Sequence, residues 1–75
     1  MDTYQLVARA LAKRLGIALS EITPDAELLV LGVDSLDAAE LLMELEEKLD
    51  VEIEAAKQIK TVRDVVEAID RALDA

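Results

Sequence analysis

The stretch "DSLDAAELLMELEEKL", residues 34–49, decides how the rest of the chain is read. From Ser35 to about Leu49 its spacing predicts a helix. Leu36, Ala39, Leu42, Met43, Leu45 and Leu49 line a broad apolar face, and Asp37, Glu40, Glu44 and Glu47 fall three or four residues apart along an outer stripe. Repulsion along that stripe costs a few tenths of a kcal/mol per pair. Burial of each leucine returns ~1.5–3 kcal/mol, so the helix tolerates the stripe without needing it. Asp34 and Ser35 stand where helices start. On spacing alone Ser35 reads first as a cap, either itself or as the residue just inside an Asp34 cap.

Working towards the N-terminus, residues 17–33 carry no sustained period. Ser20 and Thr23-Pro24 mark turns or short-helix starts, with Pro24 suited to a first helical position. Leu28 to Leu31 form a short apolar run. A buried strand would lack a partner, so the segment is read as a long loop pinned to the core by its leucines. Ahead of it, Tyr4, Val7, Ala8, Leu11 and Leu15 recur at helical spacing, with Arg9, Lys13 and Arg14 opposite. Thr3 or Asp2 caps this helix and Gly16 ends it.

On the other side of the central helix, "DVEIE" at 50–54 reads as a connection, followed by a brief helical turn from Ala55 to Ile59. Thr61 caps a last helix, with Asp64 three residues on as in a capping box. Val62, Val65, Val66, Ile69 and Leu73 form its buried stripe. The expected fold is all-α, a three-to-four-helix bundle in one domain, residues 1–75, with a long loop between helices one and two.

The chain has 75 residues, 53% of them apolar, and a net charge of −9. Residues 34–54 hold nine acids and one base, which is eight of the nine net negative charges. Such a field repels nucleic acid and anionic lipid and attracts a basic surface. With no His and no Cys, the commonest general base, the thiol nucleophile and the usual zinc ligands are missing. No calcium-loop pattern accompanies the acids, so no metal is expected. No apolar run reaches a membrane span, and the first residues read as a mature helix rather than a leader. The chain is expected to be a cytoplasmic monomer without stable membrane insertion.

"LGVDSLDAAELLMELEEKLDVEI" resembles the heart of the acyl carrier protein family, and "LAKRLGI", "EITPDAEL" and "KTVRDVVEAID" extend the likeness over nearly the whole chain. The resemblance implies a non-catalytic carrier. Ser35 of the "LGxDSL" pattern would receive a 4′-phosphopantetheine arm from coenzyme A through a phosphopantetheinyl transferase, and the arm's thiol would hold acyl groups as thioesters. A helix N-terminus suits the resulting phosphodiester anion. The resemblance also implies a docking face of Asp34, Leu36, Asp37, Glu40, Met43, Glu44, Glu46 and Glu47. Its partners would be acyl-activating or acyl-transfer enzymes and synthase components with basic patches, serving fatty-acid, polyketide or related synthesis. An acyl-chain pocket is expected from Leu42, Leu45, Ile53, Ala56, Ile59 and Val65, with Ala38 and Ala39 leaving room near the arm.

The sequence departs from the family's pattern at Leu28 and Leu49, where phenylalanine is common. "LLVLG" lacks an acidic pair before the motif, and the stretch between Ile53 and Thr61 is short, with Glu54 where proline is frequent. These departures imply a carrier specialised for one pathway. Two other readings stay open: a carrier of aminoacyl or peptidyl groups, and an unmodified acidic helical interaction module.

Overall fold

The computed structural model describes residues 2–53 and 59–74. Within them the chain forms α1 (Thr3–Leu15), a 3₁₀ turn (Leu19–Glu21), α2 (Leu28–Leu31), α3 (Ser35–Leu49) and α4 (Val62–Asp74). The all-α expectation holds, and the three long helices fall where their apolar periods placed them.

Local chemistry sets the ends of α1. Asp2 takes the N-cap position, its carboxylate accepting the Gln5 N–H at 3.3 Å. Gly16 closes the helix at φ 67°, donating its N–H to the Ala12 carbonyl at 2.9 Å. This backbone region favours glycine because a Cβ crowds it. Val7, Ala8 and Leu11 are buried from α1, and its chief partner is α4, which buries Val62, Val65, Ala68 and Ile69. A hydrogen bond from the Thr3 hydroxyl to the Asp70 carboxylate, 2.6 Å, brings the start of α1 to the later half of α4.

The capping box of α4 is present. Thr61 Oγ1 accepts the Asp64 N–H at 3.2 Å, and Asp64 Oδ2 accepts the N–H groups of Thr61 and Lys60 at 3.0 and 2.9 Å. Those two backbone donors, Lys60 first, hold the Asp64 carboxyl below its ordinary pKa. Leu73, expected in the buried stripe, is 40% exposed, and Val66 is only half-buried. Ala68 takes the inward position instead, one turn ahead of Ala72 and three residues beyond Val65.

The apolar face of α3 also needs correction. Leu41, Leu42 and Leu45 are buried, flanked by half-buried Ala38 and Leu49. Leu36, Ala39 and Met43 are exposed. Leu36 precedes Leu45 by about two and a half turns, which puts the two side chains on opposite sides of the helix. The helix carries more apolar residues than one face can hold, and the surplus faces outward.

Residues 17–33 are more ordered than a loop. The apolar run is neither loop nor strand but the single-turn helix α2, which buries Leu28 and ends at Gly32 with φ 97°. Pro24 lies in a turn and starts no helix. Tyr4 donates its hydroxyl hydrogen to the Ile22 carbonyl at 2.8 Å, tying the segment to α1. Backbone bonds tie it to the start of α4: Leu28 N–H to Lys60 O at 2.8 Å, Val62 N–H to Ala26 O at 3.1 Å and Arg63 N–H to Pro24 O at 2.8 Å. Glu27 and Thr61 form an isolated antiparallel bridge there. The expected helical turn from Ala55 lies outside the described residues except for Ile59, which is not helical.

Thr61→Ala is expected to cost about 1 kcal/mol of stability in urea unfolding at neutral pH. Asp64→Ala is expected to lower the melting temperature at pH 7. Because the folded state depresses this carboxyl, its contribution is complete above the unfolded pKa and is lost as pH falls through the folded one. The gap between Asp64→Ala and the parent chain should therefore narrow below about pH 4 in thermal melts across pH.

Candidate functional site

Ser35 is the first residue of α3 and is exposed. The cap belongs to Asp34, whose Oδ1 accepts the Asp37 N–H at 2.9 Å while its carbonyl accepts from Ala38, also at 2.9 Å. Among the described residues the Ser35 hydroxyl has no hydrogen-bond partner, so of the two arrangements its spacing allowed the structure has the second, Ser35 just inside an Asp34 cap. The first turn of a helix leaves backbone N–H groups outside the intrahelical ladder, and its dipole end favours an anion.

The remaining hydroxyls sort by what they already do. Thr3 donates to Asp70, Tyr4 to Ile22, and Thr61 caps α4. Ser20 and Thr23 are exposed on the connection between α1 and α2. Of these six, only Ser35 borders a cleft of about 540 Å³ between α2 and α3. That volume falls in the range of small-molecule pockets, roughly 300–1,000 Å³. Its apolar lining is Leu28 and Leu29 from α2, Val33 ahead of α3, Ala38, Ala39 and Leu42 from α3, and Ile59.

Of the six residues expected to line an acyl pocket, Leu42 and Ile59 meet this cleft. Leu45, Ile53 and Val65 are buried in the core behind it, and Ala56 lies outside the described residues. The small side chains of Ala38 and Ala39 are at the wall, where their spacing after Ser35 placed them. Val33 was not singled out from sequence; it sits between a glycine and a cap, where no period marks it.

The acids divide by their partners. Arg14 reaches from α1 to Glu40 at 3.6 Å and Glu44 at 3.3 Å. Those pairs are half or more exposed on the acidic side, so each contributes little stability. Glu46 is half-buried and accepts the Ile53 N–H at 2.9 Å, which ties the chain after α3 back onto the helix. Asp34 is engaged as the cap. Asp37 and Glu47 make no side-chain contact with a cation among the described residues. Leu36 and Met43 stand exposed on this helix, 69% and 65%, so the acidic surface carries apolar side chains as well. No group of His, Cys, Asp or Glu able to hold a metal ion occurs among the described residues. None of the described helices is long and apolar enough to cross a membrane.

A phosphodiester to an arm fits this arrangement. It needs a hydroxyl that is not consumed by the fold, donors for an anion, and space alongside: Ser35 offers the first, the opening turn of α3 the second and the cleft the third. The family model described as "Phosphopantetheine attachment site" matches residues 5–69. The chain is also similar to an acyl carrier protein of Helicobacter hepaticus, 42% identical over 73 residues that cover 93% of this chain and 96% of that protein.

The division of labour between Asp34 and Ser35 is measurable. Asp34→Ala should lose about 1 kcal/mol in urea unfolding, whereas Ser35→Ala should stay within about 0.5 kcal/mol of the parent chain.

Proposed function

Because the chain belongs to the acyl carrier protein family, whose cofactor is covalently attached 4′-phosphopantetheine, we propose that Ser35 is the attachment residue. Residues 1–75 act on this reading as one carrier domain. The observation that carries it is the exposed Ser35 hydroxyl at the start of α3, unpartnered among the described residues and beside a cleft that no other hydroxyl named above borders.

In the attachment step Ser35 Oγ attacks the β-phosphorus of coenzyme A's diphosphate. The new O–P bond replaces the bridging P–O bond, and 3′,5′-adenosine diphosphate leaves. The hydroxyl proton goes to a base on the transferase. The first-turn N–H groups of α3 that the Asp34 cap leaves open would favour the resulting anion. When bound, the arm supplies a thiol that carries acyl groups as thioesters. The chain has no thiol of its own to compete for them.

The chain then presents its cargo. Leu42 and Ile59, with Ala38 and Ala39, give an acyl chain an apolar path from Ser35 inward. Leu45, Ile53 and Val65 are buried in the core and do not line that cleft. Asp34, Asp37, Glu40, Glu44, Glu46 and Glu47 form the negative side that steers basic partner surfaces, and Leu36 and Met43 supply apolar contact within it. Charge steering gives fast encounter with modest affinity, which suits a carrier that must leave each enzyme in turn. These partners are acyl-activating, acyl-transfer and synthase enzymes of fatty-acid, polyketide or related synthesis, met by a cytoplasmic monomer. The named relative is an acyl carrier, which favours acyl over aminoacyl cargo.

Incubation with coenzyme A, magnesium and a broad-specificity phosphopantetheinyl transferase should add one phosphopantetheinyl group by intact mass, and Ser35→Ala should add none. Addition to the variant would contradict the assignment. For acyl loading by a partner enzyme, Glu40→Gln with Glu47→Gln should raise KM several-fold at low salt. That effect should shrink towards 1 M salt, where the screening length is ~3 Å.

A further inference from the structure

Leu29 and Val30 are 76% and 80% exposed, the greatest exposure of any large apolar side chain among the described residues. The fold makes no use of them. In α2 it is Leu28 that enters the core and Leu31 that packs at its edge, while the helix ends by its own backbone at Gly32. Single exposed apolar residues are ordinary on protein surfaces. Here two are adjacent, and Leu29 borders the same cleft as the Ser35 hydroxyl.

The pair is also held firmly. The Leu28 N–H is bonded to Lys60 O, and the Val33 N–H returns to Leu28 O at 2.8 Å. Backbone bonds thus close the turn that displays the two side chains, so a partner meets a surface whose ordering cost is already met by folding.

We propose that Leu29 and Val30 are an apolar docking spot for the enzyme that attaches the arm, an inference that rests on the reading of Ser35 given above. Enzymes that act on cargo dock along α3 on that reading and reach the cargo at the far end of a long arm. The attaching enzyme must instead bring a phosphorus atom within bonding distance of Ser35 Oγ, and so must cover the cleft mouth that Leu29 lines. Glu27 and Asp34 border this cleft against one cation, Lys60, among the described residues. The complementary surface is an apolar depression rimmed by Lys or Arg on the transferase.

The test uses the full chain and the phosphopantetheinyl transferase of its source organism. Steady-state loading is measured for the parent chain, for Leu29→Ser with Val30→Ser, and for Leu19→Ser, a 41% exposed leucine that does not border the cleft. Thermal melts confirm that each variant is folded. Burying two such side chains at the interface predicts a KM increase on the order of tenfold or more for the double variant. The value of kcat should remain within twofold, and Leu19→Ser should match the parent. The increase should persist in about 1 M sodium chloride, which screens charge but does not weaken apolar contact. A double variant with KM within twofold of the parent, or an equal increase for Leu19→Ser, would overturn the docking spot. A parent chain that is never loaded would instead remove the Ser35 reading beneath it.

Discussion

Three backbone hydrogen bonds between residues 24–28 and 60–63 hold together the part of this molecule that borders Ser35. Each contributes only about 1 kcal/mol net. Their weight lies in what they join: the connection that leads into α3 and the turn that begins α4. Asp64 reinforces the same place by binding the N–H groups of Lys60 and Thr61. With the clasp closed, α2 stands against the start of α4, and the cleft beside Ser35 has Leu28 and Leu29 on one side and Ala38, Ala39 and Leu42 on another. The position of the hydroxyl therefore depends on contacts between two segments more than thirty residues apart along the chain.

Charge and apolar surface are divided accordingly. The core is made by α1 and α4 with the inner face of α3, so the outer face of α3 is free of packing duty. That freedom explains why acids three or four residues apart are tolerated there despite mutual repulsion. Arg14 offsets two of them, and Glu46 is used internally to hold Ile53. What is left is a surface negative in sign with Leu36 and Met43 exposed within it. A carrier needs such a surface to be attractive at a distance and releasable on contact, and solvent-screened charge provides both.

Much of this was readable from the chain because it is local. The bounds of α3, the Gly16 stop and the Thr61–Asp64 box all rest on residues within one turn of each other, and each is where the spacing placed it. The phase of α3 was less legible. Its apolar residues outnumber the positions one face can bury, so Leu36, Ala39 and Met43 fit one periodic set while Ala38, Leu41, Leu42 and Leu45 fit the one the fold uses. Helix α2 was missed because four residues carry no period. The clasp was missed because it pairs backbone groups, which leave no mark in side-chain pattern. Ser35 itself was singled out by its resemblance to a family pattern; by spacing alone it could not be told from the cap that Asp34 proves to be.

The central claim is that this one serine carries the arm. The chain contains one other serine, Ser20 on the 3₁₀ turn, which makes the test sharp. The most direct measurement is fragmentation mass spectrometry of the protein recovered from its native cells, with the modification placed on the sequence. The account predicts a phosphopantetheinyl group on fragments containing Ser35 and none on those containing Ser20 alone. A group on any other hydroxyl, or an unmodified chain in cells whose transferase is active on other carriers, would contradict it.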